Sequence, residues 1–184
     1  MNNPRIVRIE WARLEGRRPR HAHANARLVD HGIIVRPPIM RLTTEDGATG
    51  FGQSLASREE AEALLGMNLD DLFDLEHGTG EAWRRFDYPL WDLAGQRAEK
   101  PVYALVAART GTPITQPFRV PCYDTSLYID DLAIESDEAA ADLIAEEARA
   151  GYARGHRAFK IKIGRGARHL PLEQGTRRDV LVIR

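Results

Sequence analysis

The feature that most restricts the fold is the run from Ser136 to Gly164. Ser136 is a helix-capping residue followed by Asp137 and Glu138, acidic residues that favour the positive end of a helix. Ala140, Leu143, Ile144, Ala148 and Tyr152 then recur at helical spacing, and Gly155 stands where a helix commonly ends. Phe159-Lys160-Ile161-Lys162-Ile163-Gly164 follows with the two-residue alternation of a strand. Upstream, Arg119 to Tyr128 reads as another strand. Strand, crossover helix and strand in that order make a unit of parallel sheet. Arg177 to Arg184 begins a further helix or strand.

The earlier part of the chain has a different grammar. Residues 5–14 read as a strand with Val7, Ile9 and Trp11 on one face and Arg8 and Glu10 on the other. Glu15 to His31 is polar, carries Arg17, Arg18, Arg20, His21, His23 and Arg27, and reads as a loop. A second strand is expected from about Ile33 to Thr43, bulged or at an edge because Pro37 and Pro38 cannot donate ladder hydrogen bonds. Glu45-Asp46-Gly47 suits a tight primed turn, which returns the chain as a third strand from Thr49 to Ser54. Gly50 and Gly52 in that strand indicate a bulge or a close backbone approach. Ser57 and Glu60 form a capping box, with Ala61, Leu64 and Leu65 as the apolar stripe of the helix behind it. Asp87 and Pro89 start another helix that buries Leu90, Trp91, Leu93 and Ala94, and a short helix follows Pro101. The fold class expected is therefore an α+β module with a three-stranded antiparallel sheet, followed by βαβ elements. The boundary falls in the Gly-, Pro- and Thr-rich segment 110–117, giving domains 1–117 and 118–184.

Charge narrows the possible partners. The chain has 184 residues, with 26 Lys+Arg against 27 Asp+Glu. A net charge of -1 argues against nucleic acid and anionic membranes as partners. The four arginines between Glu15 and His31 have no interleaved aromatics, which also argues against a nucleic-acid surface. Cys122 is the only cysteine, so no internal disulfide can form. The N-terminus lacks the apolar core of a signal peptide and no apolar run is long enough to span a bilayer. A cytoplasmic protein is the expectation.

Lys160 and Lys162 project from the same face of their strand. Two neighbouring ammonium groups disfavour each other's charge, which lowers at least one pKa and equips a lysine to act as a base. The same alternation also describes an ordinary half-buried strand with a solvated face. His21-Ala22-His23 offers two imidazoles, and two are not a coordination set, so they read as loop residues and no metal ligand is assigned.

Taken in order, Thr44-Glu45-Asp46-Gly47 leading to Gly50 and Gly52, the helix Leu90-Trp91-Asp92-Leu93-Ala94-Gly95, Lys100-Pro101-Val102-Tyr103, and a βα unit ending in Phe159-Lys160-Ile161-Lys162-Ile163-Gly164 resemble the enolase superfamily. The resemblance is to its mandelate racemase/muconate lactonizing enzyme group, over essentially the whole chain. It implies that residues 1–117 are a capping domain and that 118–184 open an incomplete (β/α) TIM-type barrel. It implies that Lys162 abstracts the proton α to a substrate carboxylate, that Lys160 tunes it, and that Mg2+ is the cofactor of the complete enzyme. The capping loop would contribute Arg17, Arg18, Arg20, His21 and His23 to binding a small carboxylic acid, since guanidinium groups pair well with carboxylates.

The resemblance carries its own limit. A (β/α) barrel needs about 250 residues, far more than 118–184 supply, and the family's carboxylate metal ligands lie on later strands. Asp130, Asp131 and Glu135 do not match those positions. The chain alone is therefore expected to hold no Mg2+ and to be inactive, as the N-terminal portion of a racemase, cycloisomerase or acid-sugar dehydratase. The alternative is a non-catalytic capping or assembly module that oligomerises or binds a small acid. Open parallel strands favour a homo-oligomer in either case.

Overall fold

Thr44 to Gly47 shows how the first sheet is nucleated. The Gly47 N–H donates to the Thr44 carbonyl at 2.9 Å, and Gly47 takes φ 83°. Of the turn residues only Gly47 has positive φ, so this is an ordinary turn closed by a left-handed glycine and not the primed turn expected. It joins β4 (Pro38–Thr44) to β5 (Thr49–Gln53), and β1 (Ile6–Arg13) pairs antiparallel with β4 on the other side. The order β1-β4-β5 makes a three-stranded antiparallel sheet.

The computed structural model describes residues 3–112, 114 and 119–184. Half of the expected boundary segment 110–117 thus lies outside the described residues. Two compact units emerge: residues 1–15 with 36–118, and residues 16–35 with 119–184.

In the first unit, a register shift between Ile6 and Arg8 corrects the expected face of β1. Ile6 is buried and Ile9 packs on the core, while Val7 and Trp11 are exposed. The sheet is covered by α2 (Asp87–Arg97), which buries Leu90 and Leu93. The two glycines of β5 make this possible by close approach. A Cβ at Gly50 would stand 2.1 Å from the Pro89 carbonyl oxygen, and one at Gly52 would stand 2.5 Å from the Tyr88 Cβ. α1 (Arg58–Leu64) begins at the Ser57/Glu60 capping box and adds Ala61 and Leu64 to the core; Leu65 is exposed. A small ribbon of β6 (Phe73–Asp74) and β7 (Gly78–Thr79) and the helix α3 (Val102–Arg109) complete the unit.

The second unit contains two departures from expectation. The polar stretch read as a loop holds β2 (Gly16–Ala22), and the strand expected over 33–43 is split into β3 (Gly32–Val35) and β4. The split falls at Arg36 and Pro37, where the missing proline N–H ends a ladder. β2 and β3 pair antiparallel. β8 (Asp124–Leu127) is shorter than the expected 119–128 and pairs parallel with β9 (Phe159–Ile161). The crossover between them is α4 (Asp137–Ala153), capped by the Ser136 side chain and ended at Gly155 with φ 105°. The last expected element is helical: α5 (Arg165–Arg168) and α6 (Leu172–Ile183). No helix among the described residues is long and apolar enough to cross a membrane.

Candidate functional site

Lys162 stands immediately beyond β9, and its N–H donates to the Leu127 carbonyl at 2.9 Å, so the ladder pairing carries on to this residue. Lys160 on β9 is exposed, while Lys162 just beyond it is half-buried. Burial holds the Lys162 ammonium below the ordinary lysine range, and the neighbouring Lys160 charge lowers it further. The Lys162 Nζ lies 5.3 Å from the centroid of the Tyr128 ring, which follows β8. The two strand ends thus bring together a tuned amine and a phenol.

Charge pairing beneath the lysine fixes those strand ends. Arg165 is fully buried and donates to Asp131 at 2.5–3.1 Å and to Asp179 at 2.7 Å. Arg178, also buried, donates to Asp137 at 2.8 Å and to the Asp131 and Glu135 carbonyls. Asp179 also accepts the Gly164 N–H at 2.8 Å, which shapes the turn just after Lys162. A buried network of this kind gains little net stability but is severely destabilised when one partner is lost.

The expected substrate-binding residues divide into three groups. Arg17 pairs with Ile34 through its backbone, and its exposed side chain makes no hydrogen bond among the described residues. Arg18 donates to the His31 and Gly32 carbonyls at 3.0 and 2.9 Å, which ties the β2–β3 segment together. Arg20 bridges Asp130 and Glu147, at 2.5 Å to the Glu147 carboxylate. His21 and His23 lie side by side on the outer face of β2 and its extension, with ring centroids 4.2 Å apart. Arg18 and Arg20 also line a cavity of about 430 Å3 together with Asp124, Tyr128, Arg154 and His156.

Three participants went unread in the sequence. His31 packs edge-on against Tyr128 at 4.8 Å, so the β2–β3 segment reaches the ring that faces Lys162. Glu147 is pushed up to about 7, first by burial and then by the nearby Asp130 carboxylate. Asp30 hydrogen-bonds His21 at 2.6 Å. The first two depend on contacts between distant segments, and the third on the β2–β3 pairing that folds Asp30 back beside His21.

Asp130, Asp131, Asp137 and Asp179 do not fit a Mg2+ site. Hard cations of this kind take oxygen ligands, whereas Asp130, Asp131, Asp137 and Asp179 are all engaged by arginines. The one group of three potential ligands among the described residues is His21, His23 and Asp30, and imidazole is a poor Mg2+ ligand.

No family model matches the chain, and no curated protein matches it. Solved structures do. A galacturonate dehydratase from Geobacillus sp., complexed with D-galacturonate and 5-keto-4-deoxy-D-galacturonate, is 45% identical with a TM-score of 0.84; the match covers 100% of this chain and 47% of that chain. A mandelate racemase/muconate lactonizing protein from Geobacillus sp. Y412MC10, complexed with magnesium/tartrate, is 45% identical with a TM-score of 0.88, over 100% of this chain and 47% of that one. L-talarate/galactarate dehydratase from Salmonella typhimurium LT2, liganded with Mg and L-lyxarohydroxamate, shares the fold at 20% identity and a TM-score of 0.61, over 98% of this chain and 48% of that one. The chain spans about half the length of these relatives, and it matches their N-terminal half. Over its whole length, at 45% identity, the chain is similar to the N-terminal half of enolase-superfamily proteins of the mandelate racemase/muconate lactonizing enzyme-like group.

Proposed function

We propose that this chain contributes the capping domain, residues 1–117, and the opening of the (β/α) barrel, residues 118–184, to an enzyme that removes the proton α to the carboxylate of an acid sugar. Lys162 is the base, its charged form disfavoured first by burial and then by the neighbouring Lys160. The observation that carries the reading is the half-buried Lys162 amine, held at the C-terminal end of a parallel strand with its ionisation disfavoured by burial and by Lys160. Barrel chemistry sits at that end of the strands. The Tyr128 ring, itself in contact with His31, limits water around the amine.

Dehydration is favoured over racemisation by the 45% identity to an enzyme complexed with D-galacturonate and 5-keto-4-deoxy-D-galacturonate. In that conversion the carbon next to the carboxylate is C5. Neutral Lys162 accepts the C5 proton, the electron pair forms the C4–C5 double bond, and the C4 hydroxyl leaves with an added proton as water. The resulting enol becomes the 5-keto group. In the β2–β3 segment the exposed Arg17 pairs with substrate carboxylate, while Arg18 and Arg20 hold the segment in place. The family's Mg2+ is not held by the described residues, so in this reading residues 1–184 are inactive by themselves.

The test is a chimera in which residues 1–184 replace the corresponding half of the Geobacillus galacturonate dehydratase. It is supplied with Mg2+ and D-galacturonate in D2O and followed by NMR. Formation of 5-keto-4-deoxy-D-galacturonate that disappears in Lys162→Ala supports the assignment. Turnover retained in Lys162→Ala, or a chimera that binds sugar and Mg2+ without turnover, overturns it.

A further inference from the structure

The geometry points to a binding site for one borderline divalent transition-metal ion, of the Zn2+ class, formed by His21, His23 and Asp30. The site is built by backbone register. Beyond the end of β2 the chain stays extended to Ala24, which bridges to Ile129 through the Ile129 N–H at 2.9 Å. Ala22 and Ala24 are both buried. Side chains two apart on extended backbone share a face, so burial of the two alanines turns both imidazoles outward. Their ring centroids lie 4.2 Å apart with the planes tilted by 32°.

Asp30 reaches this pair from the return arm of the same segment. The His31 N–H donates to the Ala22 and His23 carbonyls, each at 3.0 Å, and Arg18 clamps the His31 and Gly32 carbonyls. One Asp30 oxygen, Oδ1, takes the Gly32 N–H at 2.9 Å and meets His21 Nε2 at 2.6 Å. Oδ2 has no hydrogen bond among the described residues. One ligand atom from each of the three residues lies within 4.8 Å of the others. Metal–nitrogen and metal–oxygen bonds of about 2.0–2.2 Å around a tetrahedral ion place such atoms about 3.4 Å apart. Small rotations of three exposed side chains therefore suffice. Metal binding replaces the His21–Asp30 hydrogen bond, His21 then carrying its ring proton on the nitrogen away from the ion, and water fills the remaining positions.

Two imidazoles and one carboxylate select the ion. Nitrogen ligands suit Zn2+, Co2+, Ni2+ and Cu2+, whereas Mg2+ and Ca2+ require oxygen. This site is therefore chemically separate from the superfamily's Mg2+. All three ligands lie within residues 21–30, next to His31, whose ring rests on Tyr128. An ion bound there cross-links the two arms of the segment that reaches the Lys162 site.

The test uses the 184-residue chain after chelator treatment, titrated calorimetrically with ZnCl2, with CoCl2 absorption as a second readout. One equivalent of Zn2+ is expected to bind. His21→Gln and His23→Gln each weaken it about tenfold or more, Asp30→Asn weakens it less, His77→Gln leaves it unchanged, and MgCl2 at equal concentration does not displace it. All three ligand positions are exposed, and matching circular dichroism shows that each variant is folded. Absence of Zn2+ binding to the unsubstituted chain, or binding of equal strength in the His21→Gln/His23→Gln double variant, overturns the site and leaves the His21–Asp30 contact as a surface hydrogen bond only.

Discussion

Replacing Glu147 with glutamine is expected to stabilise the protein in a pH-dependent way. Glu147 lies on α4, its side chain only 12% exposed. It shares the Arg20 guanidinium with Asp130, and one of its oxygens is buried without a hydrogen-bond partner. Burial first, and the Asp130 charge second, raise the carboxyl from 4.5 to about 7. The folded chain thus keeps this proton to higher pH than the unfolded chain does. Its contribution is complete below about 4.5 and is lost as the pH rises through about 7. At about 1.4 kcal/mol per pH unit the full effect would be about 3 kcal/mol. Water access to the Arg20 side of the group reduces this to about 1–2 kcal/mol. Glutamine carries no proton to lose and preserves an acceptor for Arg20. Urea denaturation of both proteins at about pH 5 and about pH 8.5 measures the difference. The variant should gain about 1–2 kcal/mol relative to the wild type between those two pH values. Parallel stability curves for the two proteins would refute the reasoning, because they would mean that Glu147 ionises in the folded state as it does in the unfolded one.

Gly50→Ala places a methyl group against the Pro89 carbonyl oxygen and the Leu93 Cβ, and should lower stability by about 3 kcal/mol; a thermal melt matching the wild type would show that α2 can lift off the sheet freely. Arg165→Met leaves Asp131 and Asp179 without their buried counter-ion and should lower stability by about 3–5 kcal/mol, measured by denaturant unfolding near neutral pH. Val120, Tyr123 and Ile163 are exposed apolar residues around β8 and β9, and light scattering across a concentration series should show association of the chain. A monomer with a cooperative, concentration-independent melt would count against that.

Local signals in the sequence were dependable wherever one short segment contains the whole cause. The Ser57/Glu60 capping box, the Ser136 cap, the Gly155 terminator and the Asp87–Pro89 helix start all lie where residue chemistry puts them. The alternation at Phe159–Ile161 was equally legible, because a period of two needs no partner strand to be recognised, but it stops there: Ile163, expected on the face of Phe159 and Ile161, is exposed. Errors arose where a segment's state depends on something distant. Residues 16–22 look like a polar loop in isolation, yet they form a strand because β3 pairs with them and because Ala22 and Ala24 find a buried surface. The face of β1 was misread because the register shift after Ile6 is set by pairing with β4.

The sequence by itself thus determined the helix caps, the position of the Gly47 turn, the βαβ unit and the pair of lysines, since these follow from backbone preference and periodicity over a few residues. Tertiary structure alone decided which charges meet. Arg20 with Glu147 is separated by 127 residues, Arg165 with Asp131 by 34, and Arg178 with Asp137 by 41. Ion pairing and burial act through space, so the raised glutamate and the His21/His23/Asp30 group came into view only once the chain had brought those residues together.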